Sequence, residues 1–366
     1  MLCTLHLRCI PGADSTEAET AGTHQVLFKL GSAEELVLLY SYPNSDDGNN
    51  TLEETIEHYL TQTVERDLTV NGGVDVTVDG DTYQVTISGD SEHVKDYQKQ
   101  ISNFLISGKL ALKAVKDLKR HNIWNEAEWR FFLPHGLSIA KQRSVQLLHF
   151  PPDYSLPEQN YLNSKTSQRW EKLLELNGIV HENVTLYEAI LDIAPIAAPA
   201  SAGSSLGDTY EYFEPYVLDM LPVLLKNQHL PIVAYGSPVR HWVSSYYNLN
   251  KFGVNSVDTI KVTDTISVPI LGANHPSYIW YAKNQGRKAA FDVMEQDLVS
   301  ACWQAKLGTS PHLVSTTVLQ ECYNYWRAHP MDVCINMEIQ ANHKTDAEAQ
   351  ESCNNDLPEN DRRDEL

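Results

Sequence analysis

No apolar run in the chain approaches about 18 residues, which excludes an ordinary membrane-spanning helix. The opening stretch, MLCTLHLRCIPGAD, lacks the continuous apolar segment of a secretory leader, so a cleaved leader is not expected. On that reading the terminal Arg363-Asp364-Glu365-Leu366 is incidental, and the sequons at Asn49 and Asn183 are chance matches. Cysteine is sparse: six residues with no CxxC and no paired spacing. That excludes a zinc pattern and reads as buried or free thiols in a reducing compartment, nuclear or cytoplasmic. Internal repeats are absent.

Basic residues are also scarce. Lys and Arg number 28 against 48 Asp and Glu, for a net charge of −20. Taken over the whole chain, this argues against contact with phosphates. The distribution of charge changes that picture. Residues 1–105 hold 18 acids and 5 bases, residues 341–366 hold 8 and 3, and residues 106–340 hold 22 and 20. The middle is therefore near neutral, while the acidic ends suit solubility or a basic protein partner. Its one local basic stripe is Lys109, Lys113, Lys116, Lys119 and Arg120. Apolar residues make up 42% of the 366, enough for sizeable cores.

Three segments follow from patterning. Residues 1–105 read as an acidic α+β unit. Its short strands are HQVLFKL, ELVLLYSY, DVTVDG and TYQVTIS, with a hairpin turn at Asp79-Gly80-Asp81. Thr51 and Glu54 form a capping box for a helix reaching Leu68, and a second helix is expected from about Ser91 to Lys119. Residues 106–335 alternate strand and helix: SVQLLHF, a helix near Ser167–Asn177, LYEAILDIA, a helix around Tyr210–Leu225, PIVAYGS, a helix after Pro238, SVPILGANH, and a helix from about Arg287 to Ala305. This alternation predicts a three-layer α/β/α domain with a mainly parallel central sheet. Ligands of such sheets sit at the carboxyl ends of the strands. Residues 336–366 read as a disordered acidic tail.

The chemistry-bearing stretch is VPILGANHPSYIWYAKNQGRKAAFDVMEQDLVSACW. A strand ends in Asn274-His275-Pro276-Ser277, and an aromatic loop leads into a helix. This resembles the C-terminal signature of the uracil-DNA glycosylase superfamily. PIVAYGSPVRHW, with Ser237 in its Gly-Ser turn, resembles the element before it. LYEAILDIAPIAAPASAG resembles the strand and loop that read the base. The resemblance implies a base-excising N-glycosylase acting on DNA without metal or cofactor. His275 would donate to the base O2 as the glycosidic bond breaks, Ser277 would hold a phosphate, and Ile279 would wedge into the base stack. Two departures stand out. Asp192 falls where the best-known branch has Asn, and an ionised carboxylate only accepts hydrogen bonds. The water-activating Gly-Gln-Asp-Pro-Tyr is matched only by Pro-Asp-Tyr, with Asp153 and Tyr154 as activator and base contact. These departures leave open a catalytically reduced module that binds DNA or protein.

A rival motif is Gly203-Ser204-Ser205-Leu206-Gly207, a literal G-x-S-x-G. Ser205, Asp264 and His275 follow in the order of an α/β-hydrolase triad, and His135-Gly136 reads as an oxyanion fragment. The prolines Pro195 and Pro199 interrupt the strand-to-turn run that such a nucleophile elbow needs.

Overall fold

The computed structural model describes residues 17–20, 23–32, 73–79, 82–89, 110–111, 113–124, 130–131, 134, 143–150, 165–178, 188–197, 209–225 and 228–356, with side chains only within 110–355. The chain divides into two compact units. One comprises residues 1–133 with 196–203, and the other 134–195 with 204–366. The short later segment 196–203 is grouped with the first unit.

In the first unit, β1 (Glu17–Thr20), β2 (Thr23–Ser32), β3 (Gly73–Asp79) and β4 (Thr82–Gly89) form an antiparallel sheet in the order β1-β2-β4-β3. Asp79 pairs with Thr82, so a two-residue connection closes β3 onto β4, as the Asp-Gly-Asp signal predicts. A two-stranded pair, β5 (Arg130–Phe131) with β8 (Ile196–Ala197), also belongs here. The helical residues 110–111 and 113–120 bury Ala111, Ala114, Val115 and Leu118 and expose Lys113 and Lys116, a helical period. The capping-box helix at Thr51 lies outside the described residues.

The second unit is α/β. Its sheet contains β6 (Ser144–Leu148), β7 (Glu188–Asp192), β9 (Ile232–Tyr235), β10 (Val257–Lys261) and β11 (Ser267–Ala273). The order is β10-β11-β9-β6-β7, with only β10 antiparallel. The parallel strands are nearly continuous apolar runs, as burial on both faces requires. The helices are α1 (Lys165–Glu175), α2 (Tyr210–Leu225), α3 (Ser237–Tyr247), α4 (Tyr278–Ala282), α5 (Arg287–Thr309), α6 (Ser315–Ala328), α7 (Pro330–Asn342) and α8 (Asp346–Asp356). Val233 and Tyr235 of β9 and Leu271 and Ala273 of β11 share a core with α1 and α5. Trp170, Leu173, Met294, Leu298 and Trp303 belong to the same cluster. Helix α2 packs on β6 and β7.

The expected disordered tail is corrected over 336–356. Helices α7 and α8 occupy that stretch, and Cys334–Cys353 joins them. The free-thiol reading is corrected as well, because Cys302–Cys322 is a second disulfide, tying α5 to α6. Separations of 20 and 19 residues carry no motif, since each pair is brought together by the packing of two helices.

Candidate functional site

Strand order decides where the site lies. Among the parallel strands, β6 comes first in the chain, and its neighbours are β7 on one side and β9 on the other. The connections therefore diverge at β6/β9, the switch point outside whose carboxyl ends α/β sheets bind ligands. Four strand ends line this rim in order: Asp192 at the end of β7, His149 after β6, Gly236-Ser237 after β9, and Asn274-His275 after β11. At strand spacings of about 4.8 Å the row is roughly 14 Å long.

Two glycines shape the backbone near the ends of β9 and β11. Gly236 has φ +85°, a left-handed value that favours glycine. Its N–H donates to the Ala273 carbonyl at 3.0 Å, and a Cβ placed on it would lie 3.5 Å from the His275 Cβ. Gly272 has the backbone of Gly253 against it, so a Cβ there would collide with the Gly253 carbonyl and the Arg240 side chain.

His275 is the best-defined group at the rim. The Ser277 backbone N–H donates to its Nδ1 at 3.3 Å, and Ser277 Oγ lies 2.7 Å from the same atom. A backbone N–H can only donate, so Nδ1 must accept. The neutral ring therefore carries its proton on Nε2. Burial pushes the ring down to about 4, helped by His149 and the Arg169 guanidinium, so it is neutral at neutral pH. What results is an uncharged N–H donor of fixed tautomer.

Beneath the loop lies a buried ion pair. Arg169 of α1 contacts Asp297 of α5 at 2.8 Å, with both side chains no more than 5% exposed. The other arm of Arg169 donates to the Pro276 carbonyl at 2.8 Å. Asn274 Nδ2 donates to Asp297 Oδ1 at 3.1 Å and to Gln296 Oε1 at 3.0 Å. Arg169, Asn274, Pro276 and Asp297 also border a small cavity with room for about one water.

His149 and Tyr210 form the neighbouring pair, joined by a hydrogen bond between Nε2 and the phenol. Burial lowers His149 to about 4 and raises the Tyr210 hydroxyl, so both are uncharged at neutral pH. The sequence alone points to none of His149, Tyr210, Arg169 and Asp297. Of these, His149 was detectable, because it directly follows the SVQLL strand on the rim.

Of the predicted site residues, His275 and Ser277 are in contact and Ser237 sits beside Gly236, exposed. Asp192 is 3% exposed and stands at the other end of the row, three strands from His275. Asp153 and Tyr154 lie outside the described residues.

Ile279 is corrected: it is fully buried in the core cluster and is not presented to a ligand. The cause is helical phase. Ile279 and Ala282, three apart, share the inner face of α4, while Tyr278 and Tyr281, also three apart, are 39% and 65% exposed.

The hydrolase triad is also corrected. Asp264 lies in the β10–β11 turn, its side chain 98% exposed and 2.8 Å from Lys261. It sits at the opposite end of β11 from His275, a span of about 20 Å for seven residues. Ser205 lies outside the described residues. Among the described residues no cluster of His, Cys, Asp and Glu is arranged to hold a metal ion. No helix among them is long and apolar enough to cross a membrane. No family model matches the chain, and no curated protein matches it.

Proposed function

We propose that the second unit is a three-layer α/β/α domain that cleaves an N-glycosidic bond, with a uracil-like pyrimidine of DNA as the leaving group. The observation carrying this reading is the fixed tautomer of His275. When the bond to a base breaks, the electron pair passes to the ring and charge gathers on its carbonyl oxygen. A preorganised neutral N–H is suited to that anion, and loss of one such donor costs about 10²–10³ in rate. A charged imidazolium would instead bind anions in the ground state as well. His275 would donate through Nε2, and Ser277 fixes which nitrogen is free to do so.

Asp192 suits an exocyclic amine or a water better than a uracil O4, because its carboxylate accepts only. Tyr278 and Tyr281, rather than Ile279, offer flat surfaces on which unstacked bases could lie. Alkaline cleavage of labelled single- and double-stranded oligonucleotides containing uracil, cytosine or mismatches tests the reading. Strand scission at the modified base is expected, reduced about 10²–10³-fold by His275→Leu with DNA affinity kept. Wild-type activity retained in His275→Leu refutes it.

A second reading is a nucleic-acid or protein-binding module without turnover. It is favoured by the inward rotation of Ile279 and by Asp192. DNA binding with no cleavage of any substrate at high protein concentration would select it.

A further inference from the structure

We infer that the Arg169–Asp297 ion pair is a positioning device that fixes the His275 ring from both sides of the loop. This inference rests on the base-excision reading only for its kinetic consequence. Asn274 and Pro276 flank His275 in the chain. Asn274 is held by Asp297, and the Pro276 carbonyl is held by Arg169. The two halves of one ion pair therefore grip the two residues that set the backbone of the third. The pair also ties α1 to α5, so both helices are joined beneath a single loop residue.

The geometry is more specific than core packing requires. The two Arg169 terminal nitrogens have separate partners: Nη1 donates to Pro276 O at 2.8 Å, while Nη2 lies 2.8 Å from Asp297 Oδ2 as an ion pair and donates to the Met294 sulfur at 3.5 Å. Lysine, with a single ammonium on a flexible stem, cannot reproduce that fork. Asp297 likewise uses separate oxygens for Asn274 and Arg169. The groups that face His275 electrostatically are His149 from the β6 end and Arg169 from α1, with Ser277 hydrogen-bonded to the ring. Loosening the loop admits water to the ring and weakens the burial that keeps it neutral.

The test uses the full-length chain and two variants, Arg169→Lys and Asp297→Asn. Each keeps polar groups at its position but breaks one grip on the loop. Two readouts are followed: kcat and KM on a uracil-containing oligonucleotide, and the His275 ring titration by NMR with the His149 signal as internal reference. The inference expects kcat to fall about 10- to 100-fold, the size of a roughly 1 Å misplacement, with KM little changed. In Arg169→Lys it also expects His275 to titrate about one pH unit higher as it gains water; in Asp297→Asn the unpaired Arg169 guanidinium adds a downward pull, so the titration moves without that full rise, and in both variants His149 moves less. A lowered melting temperature with kcat and the His275 titration both unchanged overturns it, since that is what a purely structural pair would give. If the wild-type chain cleaves no base, the excision reading fails. The NMR readout then decides the positioning inference alone: a His275 titration unmoved in both variants overturns it. If Arg169→Lys does not fold, Asp297→Asn supplies both readouts.

Discussion

Replacing Glu188 with glutamine should stabilise the protein at alkaline pH and change little in acid. Glu188 opens β7 and is 1% exposed. Ser144, its partner across the parallel ladder, donates to Oε2, and Gln304 Nε2 donates to the same oxygen at 3.2 Å. Tyr235 donates in turn to Gln304 at 3.0 Å. Burial pushes the carboxyl up to about 7, against the pull of Ser144, Gln304 and Arg143 toward the ionised form. Because the folded value lies above the ordinary 4.5, the contribution is full below 4.5 and is lost as pH rises through 7. At about 1.36 kcal/mol per pKa unit, the complete loss is about 3 kcal/mol. Glutamine mimics the protonated form and has nothing to lose. Urea unfolding of both proteins should therefore give similar stabilities at pH 4.5 and a gap of about 2–3 kcal/mol in favour of Glu188→Gln at pH 8. A variant that tracks the wild type across that range, or is weaker at pH 8, refutes the assignment of a desolvated carboxyl.

Other perturbations separate the remaining claims. His275 has the opposite sign from Glu188: its folded value of about 4 lies below the ordinary 6.5, so stability should fall as pH drops from 6.5 to 4. Chemical unfolding of His275→Asn should show that slope reduced by up to about 1 kcal/mol per pH unit. Gly272→Ala forces a Cβ into the Gly253 backbone, and calorimetry should show a loss of more than about 2 kcal/mol or failure to fold. Removing Cys334–Cys353 with a double alanine change reopens a loop of 19 residues' separation and should cost about 3 kcal/mol in denaturant unfolding. Lys306→Ala removes an exposed pair with Glu321 at 2.9 Å and should cost less than about 1 kcal/mol by the same measurement.

Much of the α/β unit was legible because its signals are local. The expected helix Tyr210–Leu225 matches α2, and SVQLLHF, PIVAYGS and SVPILGANH each contain a parallel strand. Strand β10 escapes the sequence reading, since only Ile260 of its five residues is buried and an edge strand leaves little apolar pattern. The rim could be anticipated from strands followed by polar loops, which brought out His275, Ser277 and Ser237. Its support could not. Arg169 and Asp297 are 128 residues apart in numbering, and each looks like an ordinary helical charge until the helices pack. Ile279 failed for a different reason: spacing from Ser277 locates the residue but not the phase of the helix that begins at Tyr278. Disulfide pairing failed likewise, because it depends on which helix faces meet.

The contrast between Glu188 and Asp297, two of the buried acids in this unit, sharpens the case for the loop platform. Glu188 has hydroxyl and amide donors beside it, and its pKa lies where a proton is readily held. A carboxyl that takes up a proton avoids burying a bare charge. Asp297 is also raised by burial, but Arg169 and Asn274 pull it the other way, and it is paired with a full cation inside the protein. A buried ion pair commonly stabilises a fold no better than apolar residues of the same volume, whereas breaking one by removing a partner is strongly destabilising. Stability alone therefore gives little reason for a guanidinium at position 169. Geometry gives a stronger one. A guanidinium is the side chain able to hold a carboxylate and a backbone carbonyl at once with fixed directions. Its two acceptors, Asp297 and Pro276, are the ones that frame His275. The more demanding arrangement occurs at the strand end where a ring must be held in place, and the simpler one lies at the start of β6 and β7, at the opposite end of those strands from the rim.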